Sequence, residues 1–315
     1  MRILLLGKNG QVGGELQFPL AGLGELTAWD RGDLDLSSPD AIREKVRQLH
    51  PDIIVNAAAY TTVDKAESEP GLAMQVNGIA PGILAEEAKR LNALLVHYST
   101  DYVFDGTKTS PSTELDVPNP ICVYGCSKLA GERAVCAAAS RFLIFRTSWV
   151  YGAHGKNFLS AIKRLGGQQQ EISIVNDQFG APTWSREIAR ATARIIEIYL
   201  SRPDPQRLSG IYHLTAQGET SWFGFAQAAA KLGLFSGLAH QPKLHAISSA
   251  QYPTPAKRPK YSVLSNARLH IQFGIQLPDW RISLRKCLEV KLPPTTPEAT
   301  STGLLGEPLT GANKP

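Results

Sequence analysis

The sequence predicts an α/β fold, a doubly wound parallel sheet joined to a smaller, discontinuous C-terminal lobe, and three observations lead there. Short apolar runs without polar alternation recur at Ile3–Leu6, Leu26–Trp29, Asp52–Asn56 and Leu94–Ser99, with helix-length segments between them. Strands buried on both faces of a parallel sheet read this way, because no face is left for water. The first run stops at Gly7, Gly10 and Gly13, three glycines spaced three apart. The fourth run breaks into hydroxyls and a carboxylate at Ser99-Thr100-Asp101, and the carboxyl ends of parallel strands are where such sheets bind ligands.

Taken in order, Ile3–Leu6 is a strand, Gly7 to Gly13 a tight turn, and the following segment a helix. The glycines let the backbone turn sharply, approach a pyrophosphate and seat the helix on the sheet, with the helix N-terminus facing the phosphates. This gives the sheet its Rossmann type. Asp30 closes the second strand at about the distance past the turn where an acidic residue reaches the adenosine ribose. Arg31 follows it and could meet a 2′-phosphate, so cofactor preference stays ambiguous. The third strand runs into Ala57-Ala58-Ala59-Tyr60-Thr61, mostly small residues over which a cofactor could lie close. A long helix-like stretch from Gly71 to Leu91 precedes the fourth strand, whose Thr100 arrives at the same rim as the glycine turn.

Tyr124 and Lys128 stand four residues apart on a predicted helix, so phenol and ammonium face one another. A free tyrosine titrates near about 10, and a lysine held beside it favours the phenolate and lowers that value. Such a pair can protonate a carbonyl oxygen, with the Thr100 hydroxyl donating to the same atom.

The glycine spacing, Thr100 and Tyr124-x-x-x-Lys128 together resemble the extended short-chain dehydrogenase/reductase superfamily. A finer resemblance, to the dTDP-4-dehydrorhamnose reductase family, is carried by Ala59–Glu67, Ser99–Gly106, Arg146–Gly152, Asp177–Thr183 and Arg258–Leu264, and covers roughly residues 1 to 290. It implies reduction of dTDP-4-dehydro-L-rhamnose to dTDP-L-rhamnose with NADPH, or NADH, as the last step of dTDP-rhamnose biosynthesis. It implies a catalytic set of Thr100, Tyr124 and Lys128. Beside Gly7 and Gly13 of the turn, Gly10, Gln11 and Val12 would hold the pyrophosphate, Asp30 the adenosine ribose, Asp35 and Leu36 the adenine side, and Ala59, Tyr60 and Thr61 the nicotinamide half, with Lys128 on the nicotinamide ribose. Thr100, Asp101, Tyr124 and Trp149 would line the sugar, Trp149 as a flat apolar wall. Some members of the family dimerise through acidic residues that share a magnesium ion. Glu15 and Glu289 sit at plausible positions here, but Arg186 occupies the third place, so no metal is expected and a homodimer is left open.

Composition is compatible with this reading. A hydrophobic share of 43% and a charged share of 19% are those of a globular enzyme. No apolar run approaches the roughly eighteen residues a membrane helix needs, and the N-terminus lacks the pattern of a secretory signal, so a cytoplasmic protein is expected. The net charge of +5 is spread along the chain with no basic run or aromatic platform, which argues against nucleic acid and suits an anionic sugar nucleotide. Cys122, Cys126, Cys136 and Cys287 include no Cys-x-x-Cys pair and read as reduced thiols. Residues 1–150 are expected to form the cofactor domain, with returning strands near 172–175 and 211–214. Residues 151–290 would mainly form the substrate lobe, with Arg258 and Tyr261 in a Pro-bracketed loop that either holds diphosphate or deoxyribose or is purely structural. Residues 293–315, rich in Pro, Thr, Gly and Ser, are expected to be a disordered tail. Two rival readings are another nucleotide-sugar reductase or epimerase of the superfamily, and a non-catalytic NADP-binding regulatory subunit; the intact Thr100, Tyr124 and Lys128 favour catalysis.

Overall fold

A computed structural model describes residues 1–290; the segment expected to form a tail lies outside the described residues. Twelve strands occur among the described residues, in chain order: β1 (Arg2–Leu6), β2 (Glu25–Trp29), β3 (Ile53–Asn56), β4 (Leu94–Thr100), β5 (Phe142–Thr147), β6 (Val150–Tyr151), β7 (Glu171–Val175), β8 (Phe179–Gly180), β9 (Thr183–Trp184), β10 (Gly210–His213), β11 (Thr220–Ser221) and β12 (Lys243–Ile247). Six of them form the central sheet in the order β10-β5-β4-β3-β1-β2, every neighbouring pair parallel. The strand order reverses beside β1, which opens the crevice in which doubly wound sheets bind ligands.

The apolar runs are explained by burial on both faces. Ile3, Leu5, Ile53, Val55, Leu94, Val96, Leu143 and Phe145 pack with Leu16, Leu20, Ile188, Ile195, Ile196 and Phe273, from the helices Gln11–Ala21, Ser185–Ser201 and Ala267–Phe273. The alternate residues Leu4, Leu6, Ile54, Leu95 and Ile144 turn the other way, onto Ile42, Val46, Ile83, Leu84 and Val135 of the helices Pro39–Leu49, Ala80–Leu91 and Val123–Ala138. A further core gathers Tyr151, Leu159, Ile162, Ile172, Trp184, Phe225, Phe235, Trp280 and Leu284 from separated segments of the chain past β5.

Of the two segments expected to return, Gly210–His213 is the edge strand beside β5, whereas Glu171–Val175 does not enter the central sheet and pairs with β12. The reason lies in its pattern. Ile172 and Ile174 are buried while Glu171 and Ser173 are exposed, so β7 has a single apolar face and could not be covered on both sides. The stretch from Gly71 to Leu91 also differs from a plain helix, for a π-helical turn over Gln75–Ile79 separates the α-helical parts Pro70–Met74 and Ala80–Leu91. Pro81 has no N–H to give the Asn77 carbonyl, and the widened turn accommodates that missing bond.

A fully buried ion pair ties the helix Val123–Ala138 to β5: Arg146 Nε and Nη2 donate to the two Glu132 carboxylate oxygens at 2.9 and 2.6 Å, with both side chains 2% exposed. Breaking such a pair from one side strands a buried charge. Glu132→Gln is expected to lower the unfolding free energy by about 3 kcal/mol or more, read from urea denaturation, and Glu132→Leu with Arg146→Leu to recover most of that loss.

Candidate active site

The glycine turn is built for close approach. Gly7 has φ +86°, and its N–H and that of Lys8 both donate to the Trp29 carbonyl of β2 at 2.8 and 3.1 Å. A Cβ on Gly13 would stand 2.0 Å from the Gly7 carbonyl oxygen, so helix and turn touch only because Gly13 lacks one. The helix Gln11–Ala21 begins at Gly10 without a side-chain cap and without an acid in its first turn, which leaves its backbone N–H groups free to meet an anion. Val12 is half-buried, packed onto the sheet core beneath the turn. The Gln11 side chain points elsewhere: its amide donates to the His154 carbonyl at 2.6 Å and accepts from Asn157 at 3.4 Å. Any phosphate contact from this residue therefore falls to its backbone.

Asp30 stands directly after β2. Its Oδ1 accepts from the Gly32 and Asp33 N–H groups and its Oδ2 from Asn9 Nδ2 at 2.6 Å. Lys8 Nζ lies 3.8 Å from Asp30 and 2.6 Å from Asp33, while Arg31 is 77% exposed and reaches Asp35 at 3.4 Å. Carboxylates and cations thus alternate around one corner of the crevice. The Ser37 N–H and hydroxyl hold the Asp35 carboxyl below its ordinary value, and Leu36 is buried beside it. Ala57 and Ala58 lie against Gly7, and the next turn is pinned by Asn77, which accepts from the Tyr60 N–H at 2.8 Å and donates to the Tyr60 carbonyl at 2.9 Å. The Tyr60 hydroxyl donates to Glu69 at 2.7 Å, and burial with that carboxylate pushes the phenol up to about 12. Ala59 and Thr61 flank Tyr60 in this turn; Ala59 is half-buried and Thr61 exposed.

Thr100 ends β4 in register with Thr147 of β5. Its hydroxyl donates to Asp101 Oδ1 at 3.0 Å and accepts from the Tyr102 N–H at 3.2 Å. Asp101 is buried, its Oδ2 has no partner, and burial raises its carboxyl to about 6. Tyr124 opens the helix Val123–Ala138, its ring edge-on to Tyr102 at 5.6 Å. Burial raises its phenol above the ordinary value, with the neighbouring Thr100 hydroxyl pulling the other way.

One expectation is corrected here. Lys128 does not lower the phenol, because its Nζ is turned to β4, donating to the Tyr98 carbonyl at 2.6 Å and lying 3.2 Å from His97 Nε2. A buried ammonium needs acceptors of its own, and the strand carbonyl supplies one. Burial lowers Lys128 to about 8, with Glu132 one turn along opposing the shift.

Trp149 stands just past β5 in the left-handed region, φ +47°, and stacks face to face on Trp222 at 3.5 Å and 2°. Gly180 makes room for it, since a Cβ there would lie 2.4 Å from the indole. Trp222 was not singled out by sequence reasoning, for nothing near it in the chain marks it. In the loop bearing Arg258 and Tyr261, Arg258 Nη2 donates to Asp64 at 2.7 Å and the Tyr261 hydroxyl to Glu219 at 2.5 Å, so both side chains tie the loop to other segments. Arg186 binds Glu15 with both nitrogens, at 2.9 and 3.3 Å, while Glu289 is exposed. Among the described residues no cluster of three His, Cys, Asp or Glu could hold a metal ion.

The family model described as the RmlD substrate binding domain matches residues 1–292. A dTDP-4-dehydrorhamnose reductase of Burkholderia thailandensis is 48% identical over 292 residues, covering 91% of this chain and 98% of that protein. The crystal structure of a dTDP-4-dehydrorhamnose reductase from Clostridium acetobutylicum superposes with a TM-score of 0.85 at 37% identity, covering 92% of this chain and 99% of the other. That of the Bacillus anthracis reductase in complex with NADP gives 0.84 at 34% identity, with the same coverage.

The contact between Gly13 and Gly7 generates a test of the turn. Gly13→Ala should weaken NADPH binding by about tenfold or more, a cost of about 1.4 kcal/mol, measured by fluorescence titration of the folded variant.

Proposed function

Because the chain belongs to the family of the dTDP-4-dehydrorhamnose reductases, we propose that it reduces dTDP-4-dehydro-L-rhamnose to dTDP-L-rhamnose with NADPH or NADH. What supports this reading is that Thr100, with Tyr124 beside it, ends β4 at the same edge of the sheet where β1 gives way to the glycine turn, and that Lys128 is held against β4 just before Thr100. The cradle suits a dinucleotide: three glycines keep the turn close to the sheet, and the uncapped N–H groups of the helix begin at it. Gly7, Gly10, Gln11, Val12 and Gly13 would face the pyrophosphate, Asp30, Asp35 and Leu36 the adenosine side, and Ala59, Tyr60, Thr61 and Lys128 the nicotinamide side. Lys8 and Arg31 beside Asp30 supply the positive charge that a 2′-phosphate needs, so the phosphorylated cofactor suits this corner.

The nicotinamide supplies a hydride when bound; the chain supplies the proton and the geometry. Tyr124 gives its phenolic proton to the oxygen that develops charge at C4 of the sugar. Thr100 donates a hydrogen bond to that oxygen, and can do so because its hydroxyl can turn from Asp101. A phenol raised by burial stays protonated in the resting site and yields its proton only to a stronger base such as an alkoxide. Asp101 and Trp149 line the sugar, Trp149 as a wall braced from behind by Trp222. The smaller lobe, entered at Trp149, is the substrate lobe. We place the enzyme in the cytoplasm, where the four free cysteines would remain reduced. Since Glu15 is already neutralised by Arg186, a homodimer of this chain would not be bridged by an ion held at Glu15.

The reading is tested by following NADPH oxidation by the purified protein, with dTDP-4-dehydro-L-rhamnose formed in place by the preceding dehydratase and epimerase. Oxidation should vanish when the epimerase is left out. Tyr124→Phe should lower kcat by roughly a hundredfold or more while NADPH affinity is retained. Full activity in that variant would remove Tyr124 from the mechanism. Trp222→Ala should raise KM for the sugar nucleotide more than it lowers kcat, since it removes the brace of a binding wall and no reacting group.

A further inference from the structure

The hydrogen bonds around Lys128 cannot all be satisfied while Lys128 is an ammonium. Nζ donates to the Tyr98 carbonyl, and its second neighbour is His97 Nε2 at 3.2 Å. The other ring nitrogen, Nδ1, lies 3.2 Å from Asn56 Nδ2. Asn56 is oriented from its far side, where Oδ1 accepts from the Ala58 N–H at 3.2 Å. An amide nitrogen only donates, so His97 Nδ1 accepts, and the neutral ring carries its proton on Nε2, aimed at Lys128. Burial, and then the charge of Lys128, lower His97 well below its ordinary value, so the ring stays neutral. An Nε2–H facing an amine finds a lone pair; facing an ammonium it sets donor against donor. The ammonium fits when the imidazole proton sits on Nδ1 and the Asn56 amide is turned over to accept it, which opposes the Asn56 amide nitrogen to the Ala58 N–H. Both side chains are 1% exposed, so water does not relieve either conflict.

We propose that Asn56 and His97 are positioning residues that form a two-state hydrogen-bond switch with Lys128, one proton arrangement suiting its amine and the other its ammonium. The inference rests on the reading of Tyr124 and Lys128 as the catalytic pair. The two states differ by one proton, which Nζ exchanges with solvent, and the imidazole holds one proton in both. The other titratable or charged groups around Lys128 are Tyr124 and Glu132 of its own helix, and Arg146 of β5 occupies both oxygens of Glu132. β3 contributes Asn56 and the π-helical turn Asn77, neither of which is charged. The titration of Lys128 near neutrality, at about 8, fits a cost placed on the ammonium. The switch ends at Ala58, against which the Gly7 turn rests, so the charge of the catalytic lysine is tied to the backbone of the cofactor cradle.

The test is magnetic resonance on the full chain without added cofactor, reading the His97 tautomer from the ring-nitrogen shifts of isotopically labelled histidine and Lys128 from its ε-carbon. The ring should be protonated on Nε2 above the Lys128 midpoint and on Nδ1 below it, with the two midpoints coinciding. A tautomer that does not change across the Lys128 titration overturns the proposal. Asn56→Asp keeps the shape but accepts from both Ala58 and His97, so it should lock the ring with Nδ1 protonated and raise the Lys128 midpoint by about one pH unit or more, the worth of one hydrogen bond. The new carboxylate also attracts Lys128 directly, so the substitution is repeated with His97→Leu, where a clearly smaller rise is expected and an equal rise overturns the switch. Should His97→Leu fail to fold, the tautomers of the natural chain and of Asn56→Asp decide alone. An invariant tautomer with Tyr124→Phe inactive removes this inference only; a working switch with Tyr124→Phe fully active removes the catalytic reading, and with it the role given to the switch.

Discussion

Backbone pairing across the central sheet places Trp29, Leu6, Asn56 and His97 in a single row, and each of the four is followed or flanked by a piece of the site. Gly7 follows Leu6, Asp30 follows Trp29, Ala57 follows Asn56, and Tyr98, whose carbonyl binds Lys128, follows His97. Parallel strands share one direction, so what leaves them at their carboxyl ends leaves on one side. A slip of one residue would turn every strand residue to the opposite layer of helices. The two layers differ in their side chains, so the packing that holds the register also assembles the site.

Burial then decides the chemistry of what the register brings together. Tyr124, Lys128, Asp101 and His97 are each shifted toward the neutral form, and desolvation is the largest cause in all four. Tyr124 and His97 stay neutral at pH 7, while Asp101, raised to about 6, and Lys128, lowered to about 8, keep their charges but titrate close to neutrality, where a small change of surroundings moves a proton. The ion pair of Arg146 with Glu132 is closed on itself and leaves Lys128 to the carbonyl and the imidazole of β4.

What was legible in the sequence is what is local. The glycine turn, the strand ends and Tyr124-x-x-x-Lys128 each depend on a few neighbouring residues whose steric and helical consequences follow from spacing alone. The direction of the Lys128 side chain was not legible, because the partners that turn it toward β4 come from His97 and Tyr98, about thirty residues earlier and set beside it only by the fold. Asn77 escaped notice for the same reason: its task is to pin Tyr60 and reach Ser127 Oγ at 3.1 Å, two partners on different elements. Trp222 and Trp149 are far apart in the chain and share no pattern. The run Glu171–Val175 carried its answer in plain view, since its alternation of exposed and buried positions is that of a strand with one covered face.

The chain past β5 is fastened to the sheet at points next to the residues proposed for cofactor and substrate. Asp64, just past the segment that follows β3, takes Arg258 and the Ala256 N–H. Gln11, in the first turn of the phosphate-facing helix, holds the His154 carbonyl and meets Asn157. Ser148 donates to the Ala181 carbonyl at 2.8 Å on one side of Trp149, whose left-handed backbone lets the chain leave β5 and turn the indole toward the rim. Asp64 and Gln11 lie at or beside residues proposed for the cofactor, and Ser148 lies beside Trp149, proposed for the sugar, so the chain past β5 is held to the sheet by hydrogen bonds set next to the residues proposed for both ligands.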